Sequence, residues 1–483
     1  MKMQKHSILL VLTALLLSMV LAACGGSTAV PEETAAPTAP SEASSDDSGG
    51  ETAVDSSEAS APATEGEAVT IEYALWDANQ LPAYEQCAND FMALNPNITV
   101  NITQQGWDDY WNGVQTGMVS GTAADVFTNH LAKYPEFAAK EQLVDIQPFV
   151  ERDGVDTSIY LGDLADLWGR DGKRFGLPKD WDTVAVVYNK EMLAAAGVTE
   201  EELNNATWDA QTGGTFQEIL AKLTVDANGN NALSPDFDSS NVDVYGIAFP
   251  YNGSGAYGQT QWSMFAVSNG WQFNDGLYDT KYNYEDPKFI ETIQWYADMS
   301  LVEHVAAPFE DISSLGGDAL MIAGDVAMTT QGSWMIGYFS SNAPFEVGFA
   351  RLPIGPEGRK SMFNGLADSI WTGTEHVEES WQWVKYLASP ECLNVVGEYG
   401  VVFPSIESGV NNALAAYEGR GLDVSAFTDQ ALEPDGTFLF PVTDHASEIT
   451  SVMTEVMDAI ALGQVTAADA LPAADAEVDG LFK

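Results

Sequence analysis

From residue 69 onward the chain alternates between two hydrophobic periods. Residues 69–75 and 98–102 place apolar side chains at every second position, the spacing of a strand with one buried face, and an Asn95-Pro96-Asn97 turn opens the second run. Between them, residues 83–94 set apolar positions three and four apart, which predicts an amphipathic helix. The rhythm continues with a helix at 108–119, a strand at 125–127 and a helix at 133–140. Further strands are predicted at 184–188, 245–249, 326–329 and 346–350, and further helices at 216–223, 288–300, 378–388 and 448–462. No internal repeat is visible. Strands separated by helical stretches predict an α/β fold built on parallel sheet covered by helices.

The pattern before residue 69 is different. Lys2 and Lys5 precede an apolar stretch at 8–20 and then Leu21-Ala22-Ala23-Cys24. This is the layout of a secretion signal, with an apolar region too short for a permanent membrane span. Small residues ahead of the cysteine resemble the bacterial lipobox. That resemblance implies removal of residues 1–23, lipidation of Cys24, and a mature protein anchored to the cell membrane on its extracytoplasmic side. Residues 24–67 are almost entirely Ser, Ala, Thr, Pro, Gly, Glu and Asp, without an aromatic residue, Lys or Arg. Such a segment has too little apolar surface to offset the entropy of ordering it. It reads as a tether, reaching roughly 35 to 40 Å as a flexible coil.

The remaining 68–483 has the length of two domains. A formal charge of −52 opposes nucleic acid and anionic membrane surfaces, so neither is expected as a partner. Besides Cys24 the chain holds Cys87 and Cys392, which are distant in sequence and expected on helices of different lobes. Two buried free cysteines are the expectation, without a disulfide.

Several segments together resemble the large family of sugar-type solute-binding proteins that includes maltose-binding protein. They are Phe91-Met92-Ala93-Leu94-Asn95-Pro96-Asn97-Ile98-Thr99-Val100, Arg174-Phe175-Gly176-Leu177-Pro178, Val186-Val187-Tyr188-Asn189-Lys190-Glu191-Met192-Leu193, Gly324-Asp325-Val326-Ala327-Met328 and Gly332-Ser333-Trp334. Their order and spacing, after a lipobox, extend the resemblance over nearly all of 68–483. It implies a two-lobed, periplasmic-binding-protein-like (class II) α/β fold with a ligand cleft between lobes, and a hinge that the chain crosses three times. Carried onto this sequence, the crossings fall near 180–183, 329–332 and 373–376. The N-lobe is then 68–182 with 331–374, and the C-lobe 183–330 with 375–483. The implied function is capture of a sugar or oligosaccharide and its delivery to the permease of an ABC importer by a monomer that closes on its ligand, without catalysis, cofactor or metal.

A sugar offers C–H faces for aromatic stacking and hydroxyls for planar carboxylates and amides. Trp76 and Asp77 end the first predicted strand, Trp107 follows the second, and Asn129 and His130 follow the third. The carboxyl ends of parallel strands are where such sheets bind ligands. Asp180, Trp181 and Asp182 stand at the first implied crossing, where the family often meets ligand with an acidic residue. Tyr257 and Trp262 come from a Gly-rich stretch of the other lobe, Trp334 matches the family's Gly-x-Trp stacking position, and Asp368 lies in a segment that approaches ligand in relatives. Trp208, Trp295 and Trp383 read as packing residues.

Other chemistry fits the sequence less well. Residues 253–258 are glycine-rich but lack the Gly-Lys-Ser/Thr ending of a phosphate loop. Residues 226–230 share the opening of a calcium loop, yet Asn231 and Phe237 occupy the positions that need Gly and Glu, so a polar turn is expected. A secreted glycoside hydrolase remains the alternative from another class, since it needs two carboxyls at a set separation. The same fold binding a polyol phosphate, amino acid or peptide is the other. Anionic ligands call for arginine, and none lies in the loops named above.

Overall fold

The computed structural model describes residues 67–250 and 257–483. The proposed signal, Cys24 and nearly all of the tether therefore lie outside the described residues, as do 251–256. Two main sheets among the described residues are built from strands that follow in chain order: β1 (Val69–Leu75), β2 (Ile98–Gln104), β3 (Val126–His130), β4 (Leu177–Asp182), β5 (Val184–Asn189), β6 (Val225–Asp226), β7 (Val242–Ala248), β8 (Val326–Gly332), β9 (Val347–Ala350), β10 (Ser361–Ile370), β11 (Phe403–Pro404) and β12 (Thr437–Leu439). The first sheet runs β11-β4-β10-β3-β1-β2, with β12 on the side of β10, and the second runs β9-β5-β8-β7-β6. Two residues, Lys173–Arg174, pair separately with Gly169–Arg170.

The first sheet begins as the hydrophobic pattern predicts. β1 pairs in parallel with β2 and β3, the two connections being helices α1 (Leu81–Leu94) and α2 (Trp107–Ser120). Edge strand β2 starts with an alternation of buried and exposed residues, whereas β3 and β4, each flanked by strands on both sides, are buried at every position. Leu81–Leu94 packs Tyr84, Cys87 and Phe91 into one core with Ile71 and Tyr73 of β1. Trp107–Ser120 packs Tyr110, Trp111 and Val114 into another, with Phe127 of β3. Only Thr183, fully buried, separates β4 of the first sheet from β5 of the second, so the first lobe crossing is a nearly continuous extended run.

The other two implied crossings fall elsewhere. β8 lies wholly in the second sheet, paired with β5 and β7, and β9 follows it there, paired with β5. The chain returns to the first sheet only between Ala350 and Ser361, because Phe349 and Val347 complete a core with Val187 and Phe339. No crossing occurs at 373–376: helices α3 (Val377–Leu387) and α4 (Pro390–Tyr399) stay on the first sheet, with Trp383, Leu387 and Leu393 in the core of Tyr73 and Phe91. The lobe boundaries implied by the resemblance are corrected accordingly. Residues 331–350 belong with the second sheet and 375–404 with the first.

That placement also overturns the expectation for the cysteines. Helices α1 and α4 are neighbours, and Cys87 and Cys392 form a disulfide with their Cα atoms 5.3 Å apart. The sequence separation of 305 had suggested different lobes; the packing of Pro390–Tyr399 on Leu81–Leu94 removes that distance. A non-reducing peptide map of the full chain is expected to show the Cys87–Cys392 pair. The double substitution Cys87→Ala/Cys392→Ala is expected to lower stability by about 2–5 kcal/mol in equilibrium unfolding, the usual cost of losing a native disulfide.

Candidate functional site

Between the two sheets lies a cavity of about 470 Å³. One wall is built at the carboxyl ends of β1 and β3. Trp76, the residue after β1, meets Trp107 edge-on with centroids 5.1 Å apart, and the ring of Trp111 lies 5.6 Å away. His130, the last residue of β3, stands 5.7 Å from Trp107 and 5.1 Å from Phe440. Burial, and then the nearby Lys133, push the His130 imidazole down to about 3, so it is neutral at ordinary pH. Its Nδ1 accepts the Ala132 N–H at 3.1 Å, which leaves the proton on Nε2 as a donor.

Carboxylates and amides surround these rings. Asp77 accepts the Asn79 N–H and the Gln80 side chain at 2.8 and 2.9 Å, and burial raises its carboxyl above the ordinary range. Asp182, at the end of β4, accepts Gln259 at 3.3 Å and Asn364 at 3.1 Å, so donors from separate parts of the chain meet on one carboxylate; burial, then Asp180, push its pKa up. Gln331 of β8 donates to both oxygens of Asp318, whose carboxyl burial pushes up to about 6. Asp180 is 2% exposed. Among the described residues neither of its oxygens has a hydrogen-bond partner of regular geometry, although the nearby Leu366 N–H favours the carboxylate. Burial pushes it up to about 7. Asp108, in the first turn of Trp107–Ser120, and Lys133 also border the cavity, and its lining among the described residues holds no arginine.

Trp334 reaches the cavity from the turn Ser333–Met335 that follows β8. The turn needs glycine just before it: a Cβ on Gly332 would stand 1.8 Å from the Trp334 ring. Trp181 also borders the cavity and stacks at 4.9 Å on Phe403 and 5.9 Å on Phe363. Tyr257 lines it too, its hydroxyl bonded to the Ala446 carbonyl at 3.1 Å.

Three residues expected at the site do not line this cavity. Asn129 is turned into the sheet, donating to Ser369 at 3.1 Å and accepting the His130 N–H at 2.9 Å. Asp368 lies behind the cleft, accepting Tyr73 at 2.9 Å, Thr128 at 3.0 Å and Lys179 at 3.3 Å. Trp262 packs among Trp271, Phe273 and Phe289 and borders a separate cavity of about 320 Å³. In each case a polar or aromatic residue near a strand end satisfies the sheet or the core instead of facing the cleft. Sequence reasoning missed Gln80, Gln259, Asp318, Gln331, Asn364 and Phe440. Gln331 could have been found, since it immediately precedes the Gly-x-Trp segment; the others carry no local signal. The 226–230 segment is a turn: Asp226 accepts the N–H groups of Asn228, Asn230 and Asp238 at 2.8 to 2.9 Å, so its oxygens are spent on the backbone.

The model of the bacterial extracellular solute-binding protein family matches residues 73–391. A putative binding protein of Brucella abortus is 24% identical over 430 residues, covering 86% of this chain and 93% of that one. A lactose-binding protein of Rhizobium radiobacter is 26% identical over 329 residues, 65% of this chain and 68% of its own. Among solved structures, an ABC substrate-binding protein of Listeria monocytogenes in complex with cycloalternan superposes with a TM-score of 0.74 at 21% identity, covering 86% of this chain and 99% of that one.

The state of Asp180 predicts a pH signature. A carboxyl at about 7 in the fold against 3.8 in the open chain holds its proton more tightly when folded, so ionising it destabilises the fold progressively from about pH 4 upward. Asp180→Asn is therefore expected to melt at a higher temperature than the parent at pH 8, with the difference vanishing near pH 4. Thermal melts of the two proteins across that range check it.

Proposed function

The chain belongs to the bacterial extracellular solute-binding protein family, and from that premise we propose that it captures a sugar or short oligosaccharide in the cleft and hands it to the permease of an ABC importer. The carrying observation is the pairing, in one cavity, of an aromatic wall with buried carboxylates and amides that have no arginine among them. Indole faces and edges match the C–H patches of a pyranose, and planar oxygens and amides match its hydroxyls. Trp76, Trp107 and Trp334 are assigned to stacking, and Asp77, Asp180, Asp182, Asn364 and Gln259 to hydroxyl recognition, with the His130 Nε2 proton as a further donor. The lactose-binding relative supports a sugar as the ligand class.

Binding without turnover is the mode of action we assign. In this reading the two sheets close on ligand about the β4–β5 junction at Thr183, the closed form being what the permease reads. A lipid on Cys24 and the acidic segment after it would keep the binding unit at the outer face of the membrane, within reach of that permease.

Calorimetry of the full chain against neutral mono- and oligosaccharides, polyols, amino acids and sugar phosphates tests the proposal. Saturable binding of a sugar that is recovered unchanged supports it; a response confined to amino acids or phosphates overturns the ligand class, and release of smaller sugars overturns the mode of action. Trp334→Ala is expected to weaken sugar binding by about 1 to 3 kcal/mol through lost stacking and burial, with the melting temperature of the free protein little changed. Asp182→Asn is expected to weaken binding more than Asp226→Asn does, read in the same titrations.

A further inference from the structure

We infer that the preferred ligand is cationic: an amino-substituted sugar whose ammonium group docks on Asp180. The inference rests on the sugar-capture proposal and narrows its ligand class. Its starting point is an asymmetry among the carboxylates of the cavity. Asp77, Asp182 and Asp318 each receive hydrogen bonds from the protein itself. Asp180 lines the same cavity, is 2% exposed, and among the described residues both its oxygens are buried without a bonded partner. A buried carboxylate left in this condition is costly, and the cost rises as a ligand expels the remaining water.

The surrounding charges do not supply the missing partner. On its own strand Asp180 is flanked by Lys179 and Asp182; Asp368 approaches from β10, Asp77 from the end of β1, and the Tyr84 ring and hydroxyl from Leu81–Leu94. The Lys179 ammonium is committed elsewhere, bonded to Tyr73, Thr128 and Asp368 at 3.0 to 3.3 Å and seated 3.9 Å over the Tyr84 ring. Lys179 therefore acts on Asp180 only through space, favouring its ionised form against burial, and donates no hydrogen bond to it, which leaves Asp77, Asp180 and Asp182 without a bonded cation among the described residues. Lys133, across the cavity, stands over the Trp111 ring. A neutral hydroxyl can donate one hydrogen bond to Asp180. An ammonium brings three donors and the opposite charge, and a bond of that kind is roughly twice as strong as a neutral one. The indole faces of Trp76 and Trp107 favour a cation as well.

The test is calorimetry of the full chain at pH 7 with matched probes: glucosamine against glucose, chitobiose with free amines against cellobiose, and lactosamine with a free amine against lactose. At least one amine probe is expected to bind about tenfold or more tightly than its neutral counterpart, a difference of about 1.4 kcal/mol. The ratio is expected to shrink by pH 5, where Asp180 carries a proton, and to approach one in Asp180→Asn, whose folding the melts described above establish independently. A neutral probe that binds as tightly as its amine counterpart overturns the inference and leaves sugar capture standing. An amine preference that survives unchanged in Asp180→Asn overturns the docking site. Failure of every probe in both series, with binding of a compound that is not a sugar, removes the sugar-capture proposal and this inference with it.

Discussion

The ammonium of Lys179 is fully buried in the middle of a sheet, and neutralising it organises much of what surrounds the cleft. Its partners come from β1 through Tyr73, from β3 through Thr128 and from β10 through Asp368, so one cation draws together strands that are remote in sequence. The Tyr73 and Thr128 hydroxyls also lie within hydrogen-bond distance of each other and of Asp368 Oδ1, so their two protons are shared over a network that converges with the ammonium on one carboxylate oxygen. The pairing of β4 with β10 shifts register between Leu366 and Ala367, with Pro178 opposite Ala367 and Asp180 opposite Leu366. Lys179 is thus the extra residue of a bulge, a device that re-aims neighbouring side chains. The ion pair and the bulge together give consecutive residues opposite duties: Lys179 inside the sheet, Asp180 toward the cleft.

Early elements of the chain were legible because each repeats one simple period. Strands at 69–75 and 98–102 and the helices after them sit on a sheet whose outer strand has one wet face, and alternation records that directly. β10 was not legible as a strand. Its sequence, Ser361-Met362-Phe363-Asn364-Gly365-Leu366-Ala367-Asp368-Ser369-Ile370, mixes polar and glycine residues into a position buried almost throughout, so no period survives. The same burial misled the reading of function. Asn129 and Asp368 are polar residues near strand ends, which is where ligand contacts belong, but their partners are other strands and only the assembled sheet reveals it. Trp262 shows the limit for aromatics, since a tryptophan in a core and one in a cleft look alike in sequence. Family resemblance identified the fold and the first crossing well. It misplaced the later ones because boundaries carried over from a family do not record which sheet a given strand, such as Val347–Ala350, has joined.

Electrostatics separates the surface from the site. A net charge of −52 is mostly a property of solvated side chains, which water and salt screen. In the cleft the same residue type has another meaning, because burial raises the free energy of each ionised carboxyl and makes its partners matter. Asp182 is held by amides from two parts of the chain, Asp318 by a glutamine at the end of β8, and Asp180 by neither. The cleft is accordingly not uniformly acidic. It has acceptors already occupied by the protein and one, Asp180 at its lining, whose oxygens are buried without a hydrogen-bond partner among the described residues.

The bond between Cys87 and Cys392 gives the molecule an unusual topology, since most of the described chain lies inside the ring it closes. A peptide-bond cut anywhere between these residues opens the ring without dividing the molecule. Both pieces stay covalently joined through helices that share a core, so a nicked chain would still move, and be lost or kept, as one molecule.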